Sequence, residues 1–248
     1  MSRRLLVLAA TTALLLAQFA VPAETVGAPS GVECIAHRGS PTVNTESTAQ
    51  TFADAIAAGA AELETDVRFT STGYPYLLHD DHMGVFGAPT VLLANISGTT
   101  AVGYTSGSGD HIMSLYELRQ MLVANPTVKL QVELKTAPTV AQWAMLANRL
   151  DPIRGRTTVT SFSKATVQAA QEHGYRTGLL SSTFDPTTEA PVFIQSYSTL
   201  EPDDVAAHAS VGVATQVWTI DTLSEWNAAS AAGVVAVITN DLVGCLAW

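Results

Sequence analysis

The sequence predicts an α/β protein built as a (β/α)8 barrel of the TIM type, one domain with a loop insertion near residues 81–112. Three observations carry this expectation. Short strand-like runs alternate with helix-like runs, the pattern of a parallel sheet with helical crossovers. Behind a leader-like head about 225 residues remain, within the usual size of such a barrel. No Gly-rich dinucleotide loop follows the first strand, which disfavours a doubly wound sheet.

The elements follow in order. Residues 32–37 are a short apolar run ending before Arg38-Gly39, and 48–60 carry Phe52, Ala55, Ile56 and Ala60 near helical spacing. Residues 62–69 read as a strand, 70–73 as a turn and 76–79 as a second strand. Residues 81–112 are rich in Gly, Thr and Ser and show no period, so they read as a loop insertion. Ser114 followed by Glu117 is a capping box that opens a helix over 114–124. Strands are expected over 128–135, 157–162, 177–181, 192–197, 216–220 and 234–239. Helices are expected over 140–150, 164–174, 203–210 and 223–232. That makes nine strand-like segments for eight places. The turn after Phe69 is too short for a parallel crossover, so either 74–80 or 192–197 lies outside the ring. Neither an internal repeat nor a linker divides the chain.

Composition narrows the function. The 248 residues are 47% hydrophobic, which excludes a disordered chain. A formal charge of −10 argues against nucleic acid as a partner, since phosphate-backbone binding needs a basic stripe. Residues 1–23 resemble a secretory signal peptide, with Ser2-Arg3-Arg4, an apolar run over 5–21 and a small-residue cut after Ala23. A membrane anchor is the alternative for that run. No other stretch could span a bilayer, so a secreted protein with no stable anchor is expected. The two cysteines, Cys34 and Cys245, sit near the two ends of the exported chain. In an oxidising compartment they suggest one disulfide; two buried thiols are the alternative.

The charges on the strands carry the chemistry. Side chains alternate along a strand, so in Glu62-Leu63-Glu64-Thr65-Asp66-Val67-Arg68 every charge falls on one face. Gln131-Val132-Glu133-Leu134-Lys135 splits the same way. Buried parallel strands are normally apolar on both faces, so an acidic row needs a partner. Glu64, Asp66 and Glu133 could form an oxygen site for a hard divalent cation, Ca²⁺ or Mg²⁺. A solvated antiparallel edge is the alternative. His37 and His79 each end an apolar run, where imidazole can give and take protons near neutral pH. Arg38 and Lys135 add the positive charge that a phosphate ligand needs. His82, His111, His173 and His208 have no such setting.

These pieces together resemble the glycerophosphodiester phosphodiesterase family. The resemblance rests on His37-Arg38-Gly39, Asn44-Thr45, Glu64-Thr65-Asp66-Val67, His79-Asp80, Glu133-Leu134-Lys135, Ser161-Phe162, Trp218-Thr219 and Thr239-Asn240-Asp241, in order over residues 35–241. It implies a barrel that hydrolyses small-molecule glycerophosphodiesters to glycerol phosphate and an alcohol. It implies His37 and His79 as general base and acid, with a metal on Glu64, Asp66 and Glu133. Arg38 and Lys135 would lie near the phosphate, and Trp218 would line the pocket. Val43 stands where the family has the Glu of Glu-Asn-Thr, and the insertion after Asp80 is unusual. Two further readings stay open: a related phospholipid or teichoic-acid phosphodiesterase of sphingomyelinase-D-like type, and a non-catalytic barrel that binds headgroups.

Overall fold

The computed structural model describes residues 31–42, 44–186 and 189–248. The leader-like head and Val43 lie outside the described residues. Eight parallel strands close into a ring: β1 (Glu33–Ala36), β2 (Glu62–Phe69), β3 (Lys129–Leu134), β4 (Thr157–Ser161), β5 (Arg176–Ser181), β6 (Val192–Ser196), β7 (Ala214–Trp218) and β8 (Ala236–Thr239). Each pairs with its chain neighbour, and β1 closes the ring on β8 with Ile35 opposite Ile238. The (β/α)8 expectation holds.

The surplus strand is Pro75–Leu77, which runs antiparallel to β2 with Leu77 opposite Val67. Its four-residue turn permits only a hairpin, so it returns beside β2 and leaves 192–196 as the sixth barrel strand. The region 81–112 corrects the reading of an irregular loop. His82–Met83 pairs with Ala88–Leu92, and a one-turn helix spans Gly98–Ala101. Leu78, Met83, Phe86, Leu93, Ala101 and Ile112 form its own buried apolar cluster. A small cluster drawn from turns has no period, which is why pattern reading passes over it.

The outer helices are α1 (Ala49–Ala58), α2 (Leu115–Ala124), α3 (Val140–Leu150), α4 (Lys164–Glu172), α5 (Pro202–Ser210), α6 (Leu223–Ala232) and α7 (Leu242–Ala247). Capping boxes start four of them: Thr48/Thr51, Ser114/Glu117, Thr139/Gln142 and Thr222/Glu225. The last helix, α7, was not expected; six residues are too few to show a helical period. No helix is seen between β5 and β6 among the described residues. His173 stacks on Trp143, and His208 is buried with its Nδ1 on Thr215 and its Nε2 on the Asp185 carbonyl. Both are structural.

The barrel has two packing layers. Between strands and helices lies the main core, including Phe52, Leu63, Val67, Leu118, Leu146 and Trp226. Inside the ring, Ile35, Leu180, Val192, Ile194, Ala236 and Ile238 form a smaller cluster. Cys34 on β1 and Cys245 on α7 are joined by a disulfide across 211 residues of sequence. Closing so long a loop stabilises the fold by about 5 kcal/mol in the chain-entropy account. Cys34→Ala with Cys245→Ala is expected to lower the unfolding free energy by about 2–5 kcal/mol in urea titrations. Unchanged midpoint and slope would contradict that role.

Candidate active site

The site starts from the inward row of β2. Glu62, Glu64 and Asp66 share one face, and the register sets Asp66 beside Glu133 and Glu64 beside Gln131 on β3. β2 lies inside a parallel ring between β1 and β3, which excludes the solvated-edge reading for residues 62–67. Glu64, Asp66 and Glu133 are all buried and offer oxygens within 4.8 Å of one another. Such crowding is tolerated only with opposite charge close by. Lys135 Nζ supplies it at 2.9 Å from Asp66 Oδ1 and 2.8 Å from Glu133 Oε1. Arg38 Nε lies 2.9 Å from Asp66 Oδ2, although its N–H is not aimed at that oxygen, which has no hydrogen-bond donor.

The acids respond differently. Burial opposes the charge of Asp66, but Lys135 and Arg38 outweigh it and hold the carboxyl below its ordinary value. Burial and the neighbouring charges of Asp66 and Glu133 push Glu64 well up. Burial, then the Asp66 charge, raises Glu133 to about 7. Burial and mutual repulsion thus oppose full ionisation of Glu64 and Glu133.

The turn after β1 presents the next group. Arg38 takes left-handed backbone angles, φ 50° and ψ 33°, and its N–H donates to Glu64 Oε2 at 3.1 Å. Gly39 follows at φ 82°, where an added Cβ would meet Thr51 Oγ1 at 2.8 Å. No larger residue fits there. The Arg38 guanidinium also donates to Glu46 Oε2 at 2.9 Å. His37 stands between the turn and the last strand. Its Nδ1 is 2.7 Å from Asn240 Oδ1, while Asn240 Nδ2 donates to Asp221 Oδ2 at 2.9 Å. Asp221 accepts, so it fixes which end of the Asn240 amide faces His37. That end is the oxygen, so Nδ1 carries the proton and Nε2 is left as the basic nitrogen. Nε2 is 4.0 Å from Glu64 Oε2. Burial, then Arg38, lowers the His37 pKa.

His79 reaches the same mouth from the hairpin. Leu78 N donates to the Asp66 carbonyl at 3.0 Å, and Arg68 Nε donates to the His79 carbonyl at 2.9 Å. The His79 ring pairs with Asp80 at 3.0 Å. His37, His79, Arg38, Lys135, Glu64 and Glu133 all line one cavity of about 140 Å³, with Trp218 on its wall and Phe162 edge-on to Trp218 at 5.8 Å. Each residue that the sequence assigns to catalysis, the phosphate, the pocket or the metal therefore borders this cavity or, like Asp66, belongs to its carboxylate cluster. Sequence reasoning passed over Glu46, Gln131, Asn240 and Asp221 as site residues. Asn240 stood in a quoted motif and Gln131 on the quoted polar face, but an amide has no charge to draw attention.

The donor set suits a hard divalent cation: three carboxylates, one of them with an unsatisfied buried oxygen. Residues 37–243 match the glycerophosphoryl diester phosphodiesterase family.

The chain belongs to that family.

Several solved structures share the fold. A phosphodiesterase from Oleispira antarctica, in complex with the product sn-glycerol-3-phosphate, aligns with TM-score 0.78 at 20% identity, covering 88% of this chain and 95% of that one. A glycerophosphodiester phosphodiesterase from Agrobacterium tumefaciens gives 0.74 at 19% identity, covering 88% and 100%. One from Thermotoga maritima gives 0.71 at 20%, covering 86% and 96%. No curated protein gives a significant sequence match. Arg38 and Lys135 are the two residues among the cavity's lining that carry a permanent positive charge.

Cation binding is expected to depend on pH. The ion must displace the proton that Glu133 holds with a pKa of about 7. A raised carboxyl pKa means that binding is hindered below that value and relieved above it. Calorimetric titration with Ca²⁺ or Mg²⁺ should give about tenfold tighter binding at pH 8 than at pH 6, with proton release. Equal affinity at the two pH values would contradict this.

Proposed function

We propose that this chain is an exported, metal-dependent hydrolase of glycerophosphodiesters, releasing glycerol phosphate and an alcohol, with His37 and His79 dividing the proton transfers. The observation that carries the reading is the pairing of two imidazoles with a three-carboxylate cluster and two cations around one cavity. The product found in the Oleispira antarctica structure supports glycerol phosphate as the product class. Export is supported by the leader-like residues 1–23 and by the disulfide. No helix among the described residues is long and apolar enough to cross a membrane.

The mechanism follows from the groups. Arg38 and Lys135 meet the phosphate oxygens. Glu64, Asp66 and Glu133 would hold Ca²⁺ or Mg²⁺, which supplies charge stabilisation to the phosphoryl oxygens. His37 Nε2 takes the proton of a glycerol hydroxyl as that oxygen attacks phosphorus. The bond from phosphorus to the departing alcohol breaks, and His79 gives that alkoxide a proton. Water then opens the cyclic ester, with the proton roles reversed. Asp221 and Asn240 act through His37, holding its Nδ1 proton and so keeping Nε2 free. Trp218 and Phe162 form an aromatic wall on one side of the cavity.

His37→Ala and His79→Ala should each lose about 10²–10⁴ in kcat/KM on glycerophosphodiesters. A nitrophenolate leaving group should rescue the acid variant and not the base variant. Either variant retaining wild-type rate on a natural alcohol ester would overturn the assignment. The pH profile of kcat/KM should be bell-shaped within about pH 5–9. Burial, then Arg38, lowers the His37 pKa, which moves the acidic limb downward. Asn240→Leu should move that limb and lower kcat by about 10–100-fold, with little change in KM. An unmoved limb would remove Asn240 from the mechanism.

A further inference from the structure

The charge row of β2 ends on Arg68, two residues past Asp66, and the cavity that holds the two histidines does not include it. Arg68 lines a second cavity of about 270 Å³ instead, together with Ser71, Asp81, Thr136 and Gln142. Three segments run from the catalytic groups into its wall. Arg68 follows Asp66 on β2, Asp81 follows His79 after the hairpin, and Thr136 follows Lys135 after β3. One or two residues of chain span at most about 7 Å, so the second cavity flanks the first.

The Arg68 side chain is anchored. Its Nε donates to the His79 carbonyl at 2.9 Å, which fixes one edge of the planar guanidinium. Its terminal nitrogens, Nη1 and Nη2, have no hydrogen-bond partner among the described residues, and no carboxylate oxygen stands within 4.0 Å of them. Neither is enclosed; both keep contact with solvent. A guanidinium held at Nε and free at its fork is ready for an anion that offers two oxygens. Asp81 is the only acid on this cavity's wall. It is exposed and makes no ion pair with Arg68, so water screens its opposition to an anion.

His79 decides which part of a substrate arrives there. In the hydrolytic reading given above, on which this inference rests, His79 gives its proton to the departing alcohol. That alcohol therefore lies on the His79 side of phosphorus, where Arg68 stands against the His79 carbonyl. We propose that the second cavity is a subsite for the leaving alcohol, and that Arg68 binds an anionic group carried by it, a carboxylate or a phosphate. The chain's charge of −10 works against an anionic substrate at long range, so a preference for one requires a local cation. Arg38 and Lys135 already stand against the carboxylate cluster, while the Arg68 fork is unspent.

The test uses the full chain and two synthetic glycerophosphodiesters, one of 3-hydroxypropanoate and one of 3-hydroxypropanamide. The two leaving alcohols are alike in size and differ by one charge. Wild type should favour the carboxylate ester in kcat/KM by about 10-fold. Arg68→Gln should bring that ratio close to one; any shift of His79 in this variant acts on both esters and cancels in the ratio. Asp81→Asn, which removes the opposing charge, should raise the ratio about 2–5-fold. Equal wild-type kcat/KM for the two esters would overturn the proposal, including the case in which the fork takes only free anions, and would leave the hydrolytic reading standing. A preference that survives intact in a folded Arg68→Gln protein, or that falls in Asp81→Asn, would overturn it too. If wild type cleaves neither ester, the hydrolytic reading itself fails, and this inference falls with it.

Discussion

Three carboxylates with oxygens inside 4.8 Å are the constraint around which this mouth is arranged. Like charges so close and so buried do not remain ionised unaided. Lys135 bridges two of them, and the strained Arg38 places one N–H on the third. The left-handed backbone at Arg38 is held by tight packing, with Gly39 pressed on Thr51. Strain of this kind persists only where the surroundings over-determine it. The turn, the cations and the raised acids are thus one arrangement. Removing a single member leaves a buried charge for the others to absorb.

The interior of the ring is divided by this demand. One side is apolar, drawn from β1, β5, β6 and β8. The other is polar from floor to mouth, through Glu62, Gln131, Glu64, Glu133 and Asp66. Barrel interiors are usually filled with branched aliphatic layers. Here the apolar work passes largely to the layer between strands and helices, where Phe52, Leu118 and Trp226 lie. The polar column survives because each group in it has a neighbour to lean on. Lys129 holds Glu62, and the two glutamines hold each other.

Much of this was legible in the sequence, for physical reasons. Period-two charges in Glu62–Phe69 can lie on one face only in a strand, and charges inside a barrel demand a purpose. His37 and His79 were visible because each ends an apolar run. Other parts were hidden. The strand Pro75–Leu77 and β6 look alike over a few residues; only the short turn before the first tells them apart, and it says nothing about which barrel place is vacant. The insertion hid its own core because its apolar residues come from turns. Asn240 and Asp221 are ordinary loop residues, and their role exists only through a hydrogen-bond chain across 203 residues of sequence.

The bond between Cys34 and Cys245 makes the barrel a closed covalent circuit. Tension applied to the two ends of the chain would cross from one terminus to the other through two sulfur atoms. The seam between β1 and β8, where a barrel pulled by its ends would first part, lies beside the load and not in its path. A single peptide cut within 81–112 would open the circuit into one continuous strand and release no fragment. The insertion can therefore be nicked without the molecule coming apart.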